Sequence, residues 1–169
     1  TEIFDAAAGD MFIHRNIDAC NAVYRQSFGA THMAHQYVTK DLAKAEFMMG
    51  LAFSLARAAK VDEFLHIQGM LTELINMTET VRACLVASEA GAAPTPFGTM
   101  LPDRWPLEAM RFNFPVMFRR ACEIIQTIGA GGLMMVPSVA ELDGGVKEEI
   151  DRYAQAANAD AANRILLFR

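Results

Sequence analysis

The hydrophobic and polar residues of this chain alternate with the period of an α-helix over most of its length. Apolar residues recur at steps of three and four from Thr31 to about Ala59, and again from Val61 to Glu89. From Glu46 onward the first segment is apolar nearly all round, which is typical of a helix at the centre of a fold. We therefore expect two long helices, the first of them central, and expect Gly91 to end the second.

Prolines and glycines divide the rest of the chain. Four of the six prolines lie between residues 91 and 106, which predicts a loop across the end of a bundle. A third helix is predicted over about Leu107–Thr127, with Pro115 kinking it or starting it afresh, before Gly129–Gly132 break it. A fourth helix is predicted from about Val146 to the end. The fold class that follows is all-α, a four-helix bundle.

The first thirty residues have a mixed pattern. Met11–Arg15 suits a short strand or an extended segment, and Asp18 is a candidate N-cap for a short helix that Gly29 would end. We expect residues 1–30 to form a short irregular or extended N-terminal segment, and residues 31–169 to form the helical domain.

Composition excludes several classes of function. The net charge of −5 argues against the basic surface that binding of nucleic acid requires. Charges interrupt every apolar stretch before the ~18 residues that a membrane span requires, and no signal peptide is visible. The three cysteines form no CxxC pair and no zinc-like spacing. We expect a cytoplasmic protein that has no nucleic-acid partner, no membrane partner and no metal site.

The glycine-rich run after the third helix is the first candidate for chemistry. It reads Gln126, Thr127, Ile128, Gly129, Ala130, Gly131, Gly132 and ends at Pro137-Ser138. Glycines permit positive φ and a close approach of the backbone to a ligand, whose phosphate oxygens backbone N–H groups can bind. The other interpretation is a helix C-cap followed by a tight crossing. Neither a Walker loop nor a dinucleotide fingerprint is present.

Three further side chains are candidates near the first long helix. His32 and His35 share one helical face, as a metal pair or as histidines packed at an interface, but no nearby carboxylate completes a metal set. Glu46 sits among apolar residues, either as a buried base with a raised pKa or as the ion-pair partner of an arginine across the bundle, such as Arg119 or Arg120. No residue is identified as catalytic.

The run Gln126–Ser138 resembles the glycine-rich turn of the 4-hydroxyphenylacetate 3-hydroxylase family. His35-Gln36 with the following residues 42–52, and the proline loop at residues 94–98, are similar to that family in order and spacing. Residues 24–29 resemble a stretch with which acyl-CoA dehydrogenases reach a neighbouring subunit's flavin, although Ser27 is inserted. Arg25 is alternatively an ordinary surface residue.

The resemblance implies a bundle of the acyl-CoA dehydrogenase C-terminal type, truncated at both ends and preceded by a β-barrel domain that ends within residues 1–30. It implies that the complete protein is the oxygenase component of a two-component monooxygenase. That enzyme uses FADH2 from a separate flavin reductase to hydroxylate a phenol such as 4-hydroxyphenylacetate. A homotetramer is expected, and the fragment alone is expected to be inactive. The implied cofactor-binding residues are Arg25, His35, Gln36, Gln126, Gly129, Ala130, Gly131 and Gly132.

Two alternatives remain open at this point. A flavoenzyme like 4-hydroxybutyryl-CoA dehydratase belongs to the same superfamily, but Leu42 and Thr39 stand where a cluster-binding cysteine would follow His35 or His32. A helical interaction module without enzymatic activity is the other alternative, because fold does not determine function.

Overall fold

A computed structural model describes residues 12–169, without the side chains of Tyr24 and Arg25. The described part is mostly helical and contains one two-stranded antiparallel sheet. In chain order the elements are α1 (Ile17–Gln26), α2 (Gly29–Ala59), α3 (Leu65–Ala90), β1 (Ala93–Pro94), β2 (Met100–Leu101), α4 (Arg104–Gly129), a 3₁₀ helix (Ala130–Met134), α5 (Val139–Leu142), α6 (Lys147–Tyr153) and α7 (Ala161–Phe168).

Helices α2, α3 and α4 pack against one another and enclose the core, as the periodicity predicted. The core has two clusters at different heights along these helices. One cluster brings together the second half of α2, the first half of α3 and the second half of α4, including Leu55, Leu71 and Ile124. The other joins the start of α2, the end of α3 and the start of α4, including Val38, Val81 and Leu107. These two clusters define the two ends of the bundle.

The start of the described chain differs from the prediction. Residues 12–16 are irregular and form no strand, while Met11 lies outside the described residues. Asn16, rather than Asp18, caps α1, since its side chain accepts from the Ala19 N–H at 2.9 Å. Gly29 does not end a helix but begins α2, directly after Phe28 in the left-handed region.

The third helix is longer than predicted and runs through Pro115 without a break. Asp103 caps its start, accepting from the Trp105 N–H at 3.0 Å. The proline loop before it forms the small β1–β2 hairpin, in which Ala93 pairs with Leu101.

The predicted fourth long helix is wrong. Residues 146–169 form two short helices, α6 and α7, with an irregular segment between them. The Asn158 N–H donates to the carbonyl of Ala58 at 2.9 Å, so this segment is bonded to the end of α2. Asp160 then caps α7 through the Asn163 N–H. The described part therefore consists of three long helices with short helices around them, which confirms a mostly helical fold but does not confirm a four-helix bundle.

Candidate functional site

The glycine-rich turn joins the end of α4 to the 3₁₀ helix. The Ala130 N–H donates to the carbonyl of Gln126, which closes α4, and the Gln126 side chain is exposed. Beyond the turn, the backbone N–H and hydroxyl of Ser138 both donate to the Glu141 carboxylate at 2.7 Å. Both hydrogen bonds lower the pKa of Glu141, and the bond from the hydroxyl has the larger effect. The two residues also form a capping box at the start of α5.

The glycines of this turn differ in what surrounds them. A Cβ on Gly129 would lie 2.7 Å from Leu133 Cγ, and one on Gly132 would lie 2.6 Å from Phe168 Cε1. A Cβ on Gly131 would meet nothing within 4 Å. Gly129 and Gly132 are thus needed for packing, and only Gly131 leaves open space beside the backbone.

Positive φ is not where the sequence predicted it. The φ angle of Gly129 is −72°, and neither Gly131 nor Gly132 has a positive φ. Within this turn the residue with positive φ is Ala130, at φ 46° and ψ −139°. This conformation favours glycine, so Ala130 carries backbone strain at the centre of the turn.

The C-terminal helix covers one side of the turn. Phe168 joins the core cluster beneath the turn, and the Arg164 guanidinium lies 5.2 Å from its ring centroid. Arg164 also lines a cavity of about 310 Å³ with Met135 and Tyr153. Sequence reasoning missed Arg164 and Phe168, because nothing in the local pattern links them to a turn more than thirty residues earlier.

The second candidate site lies at the other end of the bundle. His35 Nε2 lies 3.0 Å from Glu89 Oε1, which joins the start of α2 to the end of α3. Gln36 is exposed. Thr31, one turn before His35, and Gly91, two residues after Glu89, both line a cavity of about 820 Å³.

That cavity is large enough for a cofactor or a small substrate. Its wall is mainly apolar and comes from the start of α2, the β1–β2 hairpin and the start of α4. The lining residues are Phe28, Ala30, Thr31, Gly91, Ala93, Pro94, Thr95, Pro96, Leu101, Pro102, Asp103 and Arg104. The rings of Phe28 and Phe97 meet edge to face at 6.2 Å beside it.

The structure does not bring all the predicted binding residues together. Gln126 and Gly129–Gly132 lie together at one end of the bundle, and His35 with Gln36 at the other. The turn packs against the core cluster that includes Leu55, twenty residues along α2 from His35. At 1.5 Å per residue the two groups are about 30 Å apart. One bound molecule does not touch both groups of the same chain.

The remaining sequence candidates have ordinary surroundings or are not described. Arg25 lies in α1, but its side chain is outside the described part. Glu46 is exposed and pairs with an arginine across the bundle, as one interpretation expected, but with Arg82 at 2.8 Å and not with Arg119 or Arg120. The buried-base hypothesis is wrong. His32 is exposed. Within residues 12–169 no group of three His, Cys, Asp or Glu side chains is placed to hold a metal ion.

Arg120 instead forms a two-bond ion pair with Glu73, with Nε to Oε1 at 2.8 Å and Nη2 to Oε2 at 3.0 Å. These hydrogen bonds lower the pKa of Glu73 and raise that of Arg120. The pair ties α3 to α4. Among the helices that the structure describes, none is long and apolar enough to cross a membrane.

Known proteins are similar to this chain along nearly its whole length. It is 35% identical over 160 residues to the 4-hydroxyphenylacetate 3-monooxygenase oxygenase component of Geobacillus sp. (strain PA-9), covering 94% of this chain and 32% of that protein. A crystal structure of the oxygenase component HpaB, complexed with FAD and 4-hydroxyphenylacetate, superposes with a TM-score of 0.86 at 33% identity. That match covers 93% of this chain and 33% of the other.

The fold is shared more widely. A 4-hydroxybutyryl-CoA dehydratase from N. maritimus superposes with a TM-score of 0.75 at 18% identity, over 82% of this chain and 28% of that one. This likeness concerns the fold alone. The chain spans about a third of the length of the curated relatives it matches. The family described as 4-hydroxyphenylacetate 3-hydroxylase C terminal matches residues 20–169, and the chain belongs to that family.

Proposed function

We propose that the complete protein is the oxygenase component of a two-component, FADH2-dependent monooxygenase that hydroxylates a phenol such as 4-hydroxyphenylacetate. The observation that carries the proposal is the agreement in sequence and fold, over 93% of this chain, with an oxygenase component complexed with FAD and 4-hydroxyphenylacetate. A separate flavin reductase would supply the reduced FAD. The dehydratase alternative has support from the fold alone.

The described residues fit a flavin at the glycine-rich turn. Gly131 leaves the space of a side chain open beside an exposed stretch of backbone, and Gln126 is exposed one turn earlier. At the other end of the bundle, His35, Gln36 and the 820 Å³ cavity form a second wall. Because these surfaces are about 30 Å apart, each is a wall of a different flavin site in an oligomer.

When bound, reduced flavin would supply the two electrons that O2 requires, so that one oxygen atom replaces the hydrogen on the ring carbon beside the phenol hydroxyl and the other leaves as water. The residues of this chain would bind and orient the flavin and the phenol, and would exclude water from them. The Glu89 carboxylate fixes the His35 ring, as second partners of imidazoles do. Phe28 and apolar residues of the β1–β2 hairpin line the cavity.

We infer that residues 1–30 end a preceding β-barrel domain and that residues 31–169 are the helical domain, which assembles a cytoplasmic homotetramer. Large apolar side chains on the outer face of α4 support the assembly: Trp105 is 78% exposed and Phe112 is 83% exposed. Phe47 on α2 is 67% exposed. Such surfaces are typical of interfaces. Sedimentation of the complete protein should give four copies, and a monomer at tens of micromolar, where even weak interfaces form, would contradict the assembly.

Turnover of the complete protein tests the function. The assay combines the protein, a flavin reductase with its reductant, FAD, O2 and 4-hydroxyphenylacetate, and detects the catechol by chromatography. We expect product formation that requires both FAD and O2, and one labelled oxygen atom in the product from ¹⁸O2. Binding of reduced FAD with no hydroxylation of any phenol would contradict the proposal.

A further inference from the structure

Arg164 differs from the other arginines in how its charge is accommodated. Among the arginines whose side chains the structure describes, Arg82, Arg104, Arg111 and Arg120 form ion pairs. The rest are exposed, except Arg164, which is partly buried and has no carboxylate within 4.0 Å among the described residues. A charge that is partly withdrawn from water is stabilised by a counter-charge, and Glu149, the carboxylate that lines the same cavity, does not pair with it. The position therefore suits an anion that the chain itself does not provide.

Neutral contacts hold the Arg164 guanidinium beside the glycine-rich turn. Nη1 donates to the carbonyl of Ala154 at 3.2 Å, and the group stacks over Phe168 at 5.2 Å. Nη2 lies 3.3 Å from the position that a Cβ of Gly132 would occupy. The guanidinium carries five N–H donors, of which the contact to Ala154 uses one. Its remaining donors are thus fixed close to the exposed backbone of the turn.

We propose that Arg164 binds the diphosphate of FAD at the glycine-rich turn. This inference rests on the proposed function, and it adds a charged partner to a surface that otherwise offers backbone alone. The planar fork of a guanidinium matches phosphate oxygens in a way that a point charge does not. The open space at Gly131 lets the diphosphate approach the backbone, while Arg164 approaches it from the side of α7.

Arg164 also has a structural role. Ala154 is the C-cap of α6, where a positive charge stabilises the exposed carbonyls of the helix end. A substitution could therefore act on folding instead of on binding. The test therefore needs a variant that keeps an apolar side chain packed on the Phe168 ring but removes the charge. It also needs a flavin without phosphate, as a comparison for FAD.

The variant is Arg164→Met in the complete protein, prepared free of flavin. Arg152→Met is the matched control, since Arg152 is exposed, forms no ion pair within residues 12–169 and lies 5.2 Å from the ring centroid of Tyr153. The dissociation constants of FAD and of riboflavin, which lacks the diphosphate, are measured by flavin fluorescence. The constant of riboflavin is also measured by its displacement of bound FAD. Melting temperatures are recorded alongside. Arg164→Lys tests whether charge alone suffices.

We expect Arg164→Met to raise the Kd of FAD by about 10-fold or more, as removal of a charge-assisted hydrogen bond does, and to leave riboflavin within about 2-fold. Arg164→Lys should restore part of the affinity, and Arg152→Met should change neither ligand. Equal losses of affinity for FAD and riboflavin, or an unchanged Kd of FAD, would overturn the inference. Arg164 would then have a structural role only. If the wild-type protein bound no FAD at all, the proposed function itself would fail.

Discussion

Gly132→Ala should loosen the C-terminal helix, whereas Gly131→Ala should not. The added methyl group at position 132 would lie 2.6 Å from Phe168 Cε1 and 3.1 Å from Cδ1, while ordinary contacts begin at 3.4 Å. The Phe168 ring therefore has to retreat by about 0.8 Å, the difference between 3.4 and 2.6 Å. That movement pulls the ring from its core cluster and disturbs its stacking with Arg164.

Overpacking of this kind costs about 1–3 kcal/mol. Because the Phe168 side chain is only partly buried, we expect about 1–2 kcal/mol, which is a factor of about 5–30 in a local equilibrium. Hydrogen exchange of residues 161–169 in the flavin-free complete protein measures this directly, since exchange reports local opening.

The neighbouring glycine, Gly131, provides the control. Gly131→Ala adds the same methyl group one residue earlier, where nothing lies within 4 Å, and should leave exchange in α7 unchanged. Phe168→Leu combined with Gly132→Ala should recover part of the protection, because the smaller side chain makes room. Equal exchange rates in α7 for Gly131→Ala and Gly132→Ala would refute the reasoning that Gly132 is a packing residue.

Three further predictions follow from the geometry. Ala130→Gly should raise stability by about 1 kcal/mol, because relief of the strained φ of 46° exceeds the added freedom of the unfolded chain; a lower melting temperature would contradict this. The lowered pKa of Glu73 means that its bond to Arg120 stabilises the fold above the usual carboxyl pKa of 4.5, and that this contribution is lost as pH falls through the lower folded value. Glu73→Gln should therefore lower the melting temperature at pH 7 and lose this effect in acid, whereas exposed Glu63→Gln should have none; a pH-independent difference would be the contrary result. Finally, the 169-residue chain by itself should bind FAD more weakly than micromolar, since each wall it carries lacks the opposite one; calorimetric titration checks this, and micromolar or tighter binding would contradict it.

Local signals account for the parts of the fold that sequence reasoning predicted well. The three long helices follow from apolar residues at steps of three and four, and the end of α4 at Gly129 follows from the glycine run. Both signals depend only on neighbours along the chain. The same holds for the family, because the order of His35-Gln36, the proline loop and the glycine-rich turn is itself a property of the sequence.

Tertiary contacts decided what the local pattern left open. The apparent fourth helix is interrupted because Asn158 bonds to the end of α2, an acceptor a hundred residues earlier in the chain. Phe168 from α7 determines that Gly132 is a packing residue while Gly131 stays open. Helical periodicity specifies which face of a segment is buried, but the crossing of the helices selects the partner that each buried or charged group meets. The sequence by itself thus determined the helices and the family, whereas packing alone decided which end of the bundle each candidate residue occupies.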